Sequence, residues 1–276
     1  MIYKTKIGKY DFMLGTENKE ANVSGLEISL MKNENDNLKG VSMALSNSSK
    51  KARGVQFGME NVVGIGDYLF QLGITNVAKQ ISGAQVSLGY NLADKVKGWQ
   101  FAPFNKSKEV YGSQTGIYNS TKLLDGFQFG AYSETENLLG MQSGGINYAK
   151  KGKGFQLGSI NYTDNYKGVQ TGFANVAKKN VGVQSGALNF SNESQGAQVG
   201  VLNNTKDIEG LQTGIFNVAK KMKGIQFGLF NVCGEDSGGI QIGLLNYRPG
   251  NGQWYTRFTP FIAFRGRRWK WHTVLG

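Results

Sequence analysis

The stretch Gly168-Val-Gln-Thr-Gly-Phe-Ala-Asn-Val-Ala-Lys-Lys-Asn-Val181 opens with an octapeptide, Gly-x-Gln-x-Gly-x-x-Asn, that returns on both sides of it. From Gly98 to Gly224 the step is fourteen residues without exception, with leading glycines at Gly98, Gly112, Gly126, Gly140, Gly154, Gly168, Gly182, Gly196, Gly210 and Gly224. Upstream the frame continues at Gly25, Gly40, Gly54, Leu69 in place of glycine, and Gly83, and downstream at Gly239, in steps of fourteen or fifteen. That makes sixteen copies. A weaker one begins at Asp11, where Gly15 and Asn18 keep the frame and Met13 stands in place of Gln. A period this short means an array, in which each unit buries its apolar side only against its neighbours.

The repeat reads as β-structure. Strand-compatible residues surround the motif. Two glycines per copy would cost about 1 kcal/mol each in a helix, and fourteen residues are too few for a helical hairpin. Most extra residues fall between the Asn of one copy and the Gly of the next, as between Asn61 and Leu69 or Asn231 and Gly239, which marks a turn tolerant of length. The stretch Gly83 to Asn91 is one residue longer inside the motif, and a local bulge is expected there.

The expected fold is all-β, a narrow β-solenoid of about sixteen coils with 14–15 residues per coil, capped at both ends. Identical residues would then stack about 4.8 Å apart. Gln holds the third place in fourteen of the sixteen copies and Asn closes most of them, so both would form self-satisfying amide columns. The second glycine, as in Gly130 or Gly172, suits either a positive φ or a close approach of two sheets. Apolar residues at the seventh place (Phe104, Tyr118, Ile146, Ile160, Leu188, Leu202, Phe216, Phe230, Leu245) are expected to form the main core stripe. The competing architecture is an antiparallel meander or a sixteen-stranded barrel, which ten-residue strands and alternating apolar positions also fit. Its strands would alternate in direction, leaving strict fourteen-residue identity without a cause. In outline, residues 1–24 form an N-terminal cap with a degenerate repeat, 25–246 the array, and 247–276 an aromatic cap and basic tail.

Composition narrows the function classes. Cys233 is the single cysteine and His272 the single histidine, leaving little material for disulfides, metal chemistry or Ser/His and Cys/His catalysis. The glycines match no phosphate-loop pattern, and the threonines at the fourth place (Thr115, Thr171, Thr213) are too irregular for a flat Thr array. The chain is expected to be no enzyme and to need no cofactor. It begins without a signal-peptide pattern, which points to the compartment of synthesis or a removed leader. No segment approaches the length of an apolar membrane helix.

Gly-Val-Gln-Thr-Gly-Phe-Ala-Asn-Val-Ala-Lys-Lys-Asn-Val (168–181), Gly-Leu-Gln-Thr-Gly-Ile-Phe-Asn-Val-Ala-Lys-Lys-Met-Lys (210–223) and the closing Gly-Gly-Ile-Gln-Ile-Gly-Leu-Leu-Asn-Tyr (238–247) with the aromatic 258–264 resemble the bacterial surface-repeat proteins of the Leptospira type. The resemblance covers roughly residues 54–264. It implies a bacterial surface or outer-membrane location, whereas the missing leader implies a cytoplasmic one.

Charge supplies the candidate sites. The formal net charge is +12, and Arg248, Arg257, Arg265, Arg267, Arg268 and Lys270 lie in residues 247–276 without an acid. Lys151, Lys153, Lys178, Lys179, Lys220, Lys221 and Lys223 fall in or beside the inter-motif turn, where stacking would align them along one edge. Such an edge could hold an anionic membrane surface, an acidic glycan or nucleic acid. The plainer reading is a solvated edge whose lysines prevent lateral association, with the acids of the same turns diluting the field. Trp254 to Phe264 reads as an aromatic cap over the last coil, open to self-association or a protein partner. Beyond it Arg265, Arg267, Arg268, Trp269, Lys270 and Trp271 exceed what a cap needs and suit attachment to an anionic surface. Cys233, at a place where Ala177 and Ala219 occur, reads as a buried spacer. The function expected is therefore a non-enzymatic elongated binding or structural rod attached through its basic edge and tail, with an envelope barrel or pore as the alternative.

Overall fold

The computed structural model describes residues 3–249 and 258–265. Residues 1–150 and 151–276 form two compact units, and each by itself is a stack of parallel β-coils. Strands are β1 (Tyr3–Ile7), β2 (Tyr10–Met43), β3 (Ser46–Phe57), β4 (Glu60–Phe101), β5 (Phe104–Cys233), β6 (Gly238–Tyr247) and β7 (Phe258–Arg265). The longer strands wind through several coils and pair in parallel one period apart, as Gly40 with Gly54 and Asn91 with Asn105 in the first unit and Gln226 with Gln241 in the second. Parallel pairing at the repeat distance is the solenoid, and it rules out both the antiparallel meander and the barrel. Among the described residues, antiparallel pairing occurs only at the first and last strands: β1 folds back on β2, and β7 on β6. Each end strand covers the open edge of a terminal coil, which would otherwise invite strand addition. The degenerate copy is a true coil, with Met13 buried at the Gln place and Asn18 donating to Asn33 Oδ1 at 3.0 Å.

The interior is built from amides. In the first unit each Gln Nε2 donates to the Oε1 one coil earlier, from Gln71 to Gln56 (2.9 Å) through Gln114 to Gln100 (2.8 Å) to Gln142 on Gln128 (2.9 Å). In the second unit Gln170, Gln184, Gln198, Gln212, Gln226 and Gln241 repeat the pattern at 2.7–2.9 Å. The Asn column runs the other way, because each Nδ2 donates to the Oδ1 one coil later, as Asn175 to Asn189 (2.9 Å) and Asn189 to Asn203 (2.8 Å). Its second N–H holds the backbone carbonyl ten residues on, as Asn175 with Ser185 O at 2.9 Å. Two inward columns complete the coil. The tenth place takes small residues such as Ala177 and Cys233, and the thirteenth takes Leu124, Leu138, Ile208 or Met222, all buried. Gln170 Nε2 also reaches Thr163 Oγ1 at 3.3 Å, so the third and tenth places face each other across the interior.

The seventh-place residues are not the core. Phe104 is 56 % exposed and Phe216 44 %, and Ile146, Ile160 and Leu245 also lie outside. The interior is already filled by the amide columns and the tenth- and thirteenth-place residues, so the seventh place turns outward, where Phe216 and Phe230 stack with ring centroids 5.1 Å apart. Both glycines of the motif answer to the stacking of coils. Gly182 has φ +137, and a Cβ there would overlap the carbonyl oxygen of Gly168 in the coil before. Gly186 has no such φ, but a Cβ would overlap Gly172 O and crowd Asn175 Nδ2. The close approach of the neighbouring coil thus constrains both glycines, and the first takes a positive φ as well.

Irregularities fall where the spacing places them. Asn76 binds both Val86 O and Asn91 Oδ1, so the extra residue of that coil is taken up between Val86 and Asn91, where Leu88 bulges out to 82 % exposure. Between Asn61 and Leu69, Tyr68 takes φ +48 and the register shifts. Leu69, at a glycine place, turns its side chain inward, within reach of the position a Cβ on Gly66 would take. One inward residue has been exchanged for another.

The ladder makes a graded prediction. Gln170→Leu removes the donor to Gln156 and the acceptor of Gln184, and should destabilise by about 1–3 kcal/mol in denaturant unfolding. Gln241→Leu orphans only Gln226 within the column, since its own Oε1 is held by Arg248 Nε at 3.2 Å, and should cost less. Equal losses at both positions would argue against stacked amides.

Glu27 occupies the Gln place of the Gly25 copy, accepting from Asn35 Nδ2 at 2.9 Å and Ser42 Oγ at 3.2 Å. Burial pushes its carboxyl above the ordinary Glu range, more than those hydrogen bonds lower it. A carboxyl with a raised folded pKa binds its proton more tightly folded than unfolded, so its cost is absent below the unfolded pKa and complete above the folded one. Glu27→Gln should therefore stabilise the first unit near neutral pH by about 1 kcal/mol, and the gain should vanish as pH falls below the ordinary Glu range. A gain that persists at low pH in thermal melts would refute the ionisation argument.

Candidate interaction surfaces

The coil presents two outward runs of different chemistry. The second, fourth and sixth places look out from one side, the fourth and sixth flanking the fifth-place glycine as Phe227 and Leu229 flank Gly228. From Phe155 to Leu244 these places carry no charged residue, and only Ser159, Thr171, Ser185 and Thr213 among them are polar. Every Lys, Asp and Glu of residues 151–249 falls in the other half of the coil, at or between the eleventh and fourteenth places, and Arg248 is at the tenth. The period forces this segregation, because a residue type kept at one place in each copy becomes a row on one side.

The charged side contains all seven lysines of the expected basic edge. Lys178 and Lys179 are paired with carboxylates of adjacent coils, Asp164 at 2.8 Å and Glu193 at 3.2 Å. For Lys151, Lys153, Lys220, Lys221 and Lys223 there is no carboxylate within 4.0 Å among the described residues. The structure brings Lys179, Lys221 and Lys223 together around a cleft of about 320 Å³ that also holds Glu193, Asp207, Glu209 and Asp236. Lys151 and Lys153 do not line it. This cleft carries both signs of charge and is no cationic cradle. Beside it, Lys206 and Lys220, which the sequence also places in the inter-motif turns, share the eleventh place in successive coils, and the amides flanking them keep strict register, Asn203 to Asn217 at 2.8 Å. Their spacing of fourteen carries this alignment in the sequence.

In the first unit the corresponding side has a wider groove, about 850 Å³, with Lys79, Lys106, Lys108 and Lys122 against Asp94, Glu134 and Glu136. There Lys108 pairs with Asp94 at 2.9 Å and Lys95 with Glu109 at 3.0 Å, again one coil apart. Tyr132, stacked on Tyr118 at 5.5 Å, has its phenol pushed up by burial and by nearby Glu134.

Arg257, Arg267, Arg268, Trp269, Lys270 and Trp271 lie outside the described residues, as does the side chain of Arg265, whose backbone pairs with Gly239. Of the expected aromatic cap, β7 is described and covers β6, while Trp254 is outside the described residues. Asn246 Nδ2 donates to Thr259 O at 3.2 Å, so this strand also closes the Asn column. Cys233 is buried against Ile208, Ala219 and Met222, and the spacer reading holds. Tyr166 fills a thirteenth place in the second unit, donating to Val169 O at 3.3 Å, and burial raises its pKa.

No protein-family model, curated protein or solved structure matches the chain.

Proposed function

We propose that the protein is a non-enzymatic structural scaffold that attaches to a polyanion through the lysine-bearing side of its coils, with the basic tail as a second contact. The observation that carries this reading is Lys206 above Lys220. Like charges directly opposed on neighbouring strands destabilise a sheet, and neither ammonium has a carboxylate within 4.0 Å among the described residues. An anion bridging the two would turn that repulsion into attraction. Lys221 and Lys223 on the same coil extend the contact. An acidic glycan, a nucleic-acid backbone and an anionic membrane surface share the chemistry this side would recognise. The buried Gln and Asn support the non-enzymatic part of the reading, since their donors and acceptors are spent on one another and on the backbone.

The test is retention on immobilised heparin as salt is raised. The chain should bind at low salt, and Lys206→Gln/Lys220→Gln/Lys221→Gln/Lys223→Gln should elute at clearly lower salt. The same variant should melt no earlier than the parent, because removing stacked like charges relieves about 0.2–1 kcal/mol. Unchanged elution would remove the lysine side from the interaction. Loss of retention on truncation after Phe264 instead would assign it to the tail.

A further inference from the structure

The uncharged side of the second unit calls for an occupant of its own. Phe155, Phe173, Val201, Ile215, Phe227 and Leu244 stand out from it, with Phe173 64 % exposed, and surfaces of this kind seldom stay bare. We propose that it is an interface between two copies of this chain, packed sheet against sheet. This goes beyond the polyanion reading and uses the opposite half of the coil.

Three features point to a second copy. The first is area: about seven coils at 4.8 Å by about five residues at 3.3 Å give roughly 550 Å² per copy, or about 1,100 Å² in all, above the roughly 1,000 Å² that a specific interface needs. Charge is the second. Two copies each carrying +12 repel wherever their lysines approach, and the apolar side is where two second units can meet without like charges in contact. The third is shape. Gly214, Gly228 and Gly243 floor a trough of about 540 Å³ walled by Phe227 and Ile242 on one flank and Leu229 and Leu244 on the other. The fourth- and sixth-place rows of a second copy have the same coil pitch, so one ridge can lie along the other's trough, and a two-fold axis satisfies both copies at once. Sheets packed this way sit about 10 Å apart.

Sedimentation velocity and light scattering of the full chain in detergent-free buffer test the proposal. A dimer is expected at about 10 μM. Phe173→Lys/Phe227→Lys should weaken dimerisation about tenfold or more while leaving the β circular-dichroism signal unchanged, as both side chains are already outside. The milder Phe173→Ser gives the same direction should the double variant fold poorly. Lys206→Gln/Lys220→Gln should remain dimeric even if it no longer binds heparin, which separates this proposal from the polyanion reading. A monomeric parent chain, a variant pair that still dimerises, or a monomer that floats with neutral phosphatidylcholine vesicles would each overturn it, the last in favour of a lipid surface.

Discussion

Everything in this fold depends on the rule that a buried amide must be partnered. A Gln side chain brings two donors and an acceptor inside, and leaving them unmet costs more than the net gain of an ordinary hydrogen bond. The coil solves this by translation. Gln184 gives to Gln170 and takes from Gln198, while Asn189 gives to Asn203 and takes from Asn175. Such a column works only if each amide lies directly over the last, so the fourteen-residue period is a hydrogen-bonding requirement before it is a packing one. The columns also run in opposite senses, so their amide dipoles oppose one another and the stack gains little net polarity.

The glycines follow from the same rule. Amide-to-amide distances of 2.7–2.9 Å demand that coils stack at backbone spacing, and at Gly182 and Gly186 a Cβ would strike the carbonyl beneath. Where the column is interrupted, the local chemistry changes. At Ser133 the hydroxyl is too short to replace Asn, and it has no partner among the described residues, while Asn119 still holds Phe129 O at 2.9 Å. The backbone clamp therefore survives where the side-chain relay does not.

The repeat, the β character, the amide columns and the elastic turns were legible in the spacing, because each is fixed by residues that recur. Two readings failed for one reason. Apolar residues at the seventh place, such as Phe104 and Phe216, read as core from their chemistry, yet a coil of fourteen residues has room for only four inward columns. Two of these belong to Gln and Asn, which ordinarily mark a surface. The barrel alternative arose from the same apparent alternation of apolar places. Likewise, the exchange of Leu69 for the side chain missing at Gly66 could not be read from either residue alone, since each breaks the frame and only their proximity repairs it. On the charged side, the pairing of Lys178 with Asp164 and Lys179 with Glu193 needed the coil register before it could be seen.

An interior filled by amides has a further consequence for the outside. In an ordinary domain, large apolar side chains are used up by the core, and their exposure is incidental. Here the small tenth place and single thirteenth place consume few of them, so Phe155, Phe173 and Phe227 are retained on the surface without serving the coil's own packing. A single coil's stability does not require them, whereas Lys and acid at the eleventh and twelfth places at least pair across coils. Side chains that a fold does not need for itself, kept in rows free of charge along one half of the coil, are most economically explained by a surface those rows are meant to meet.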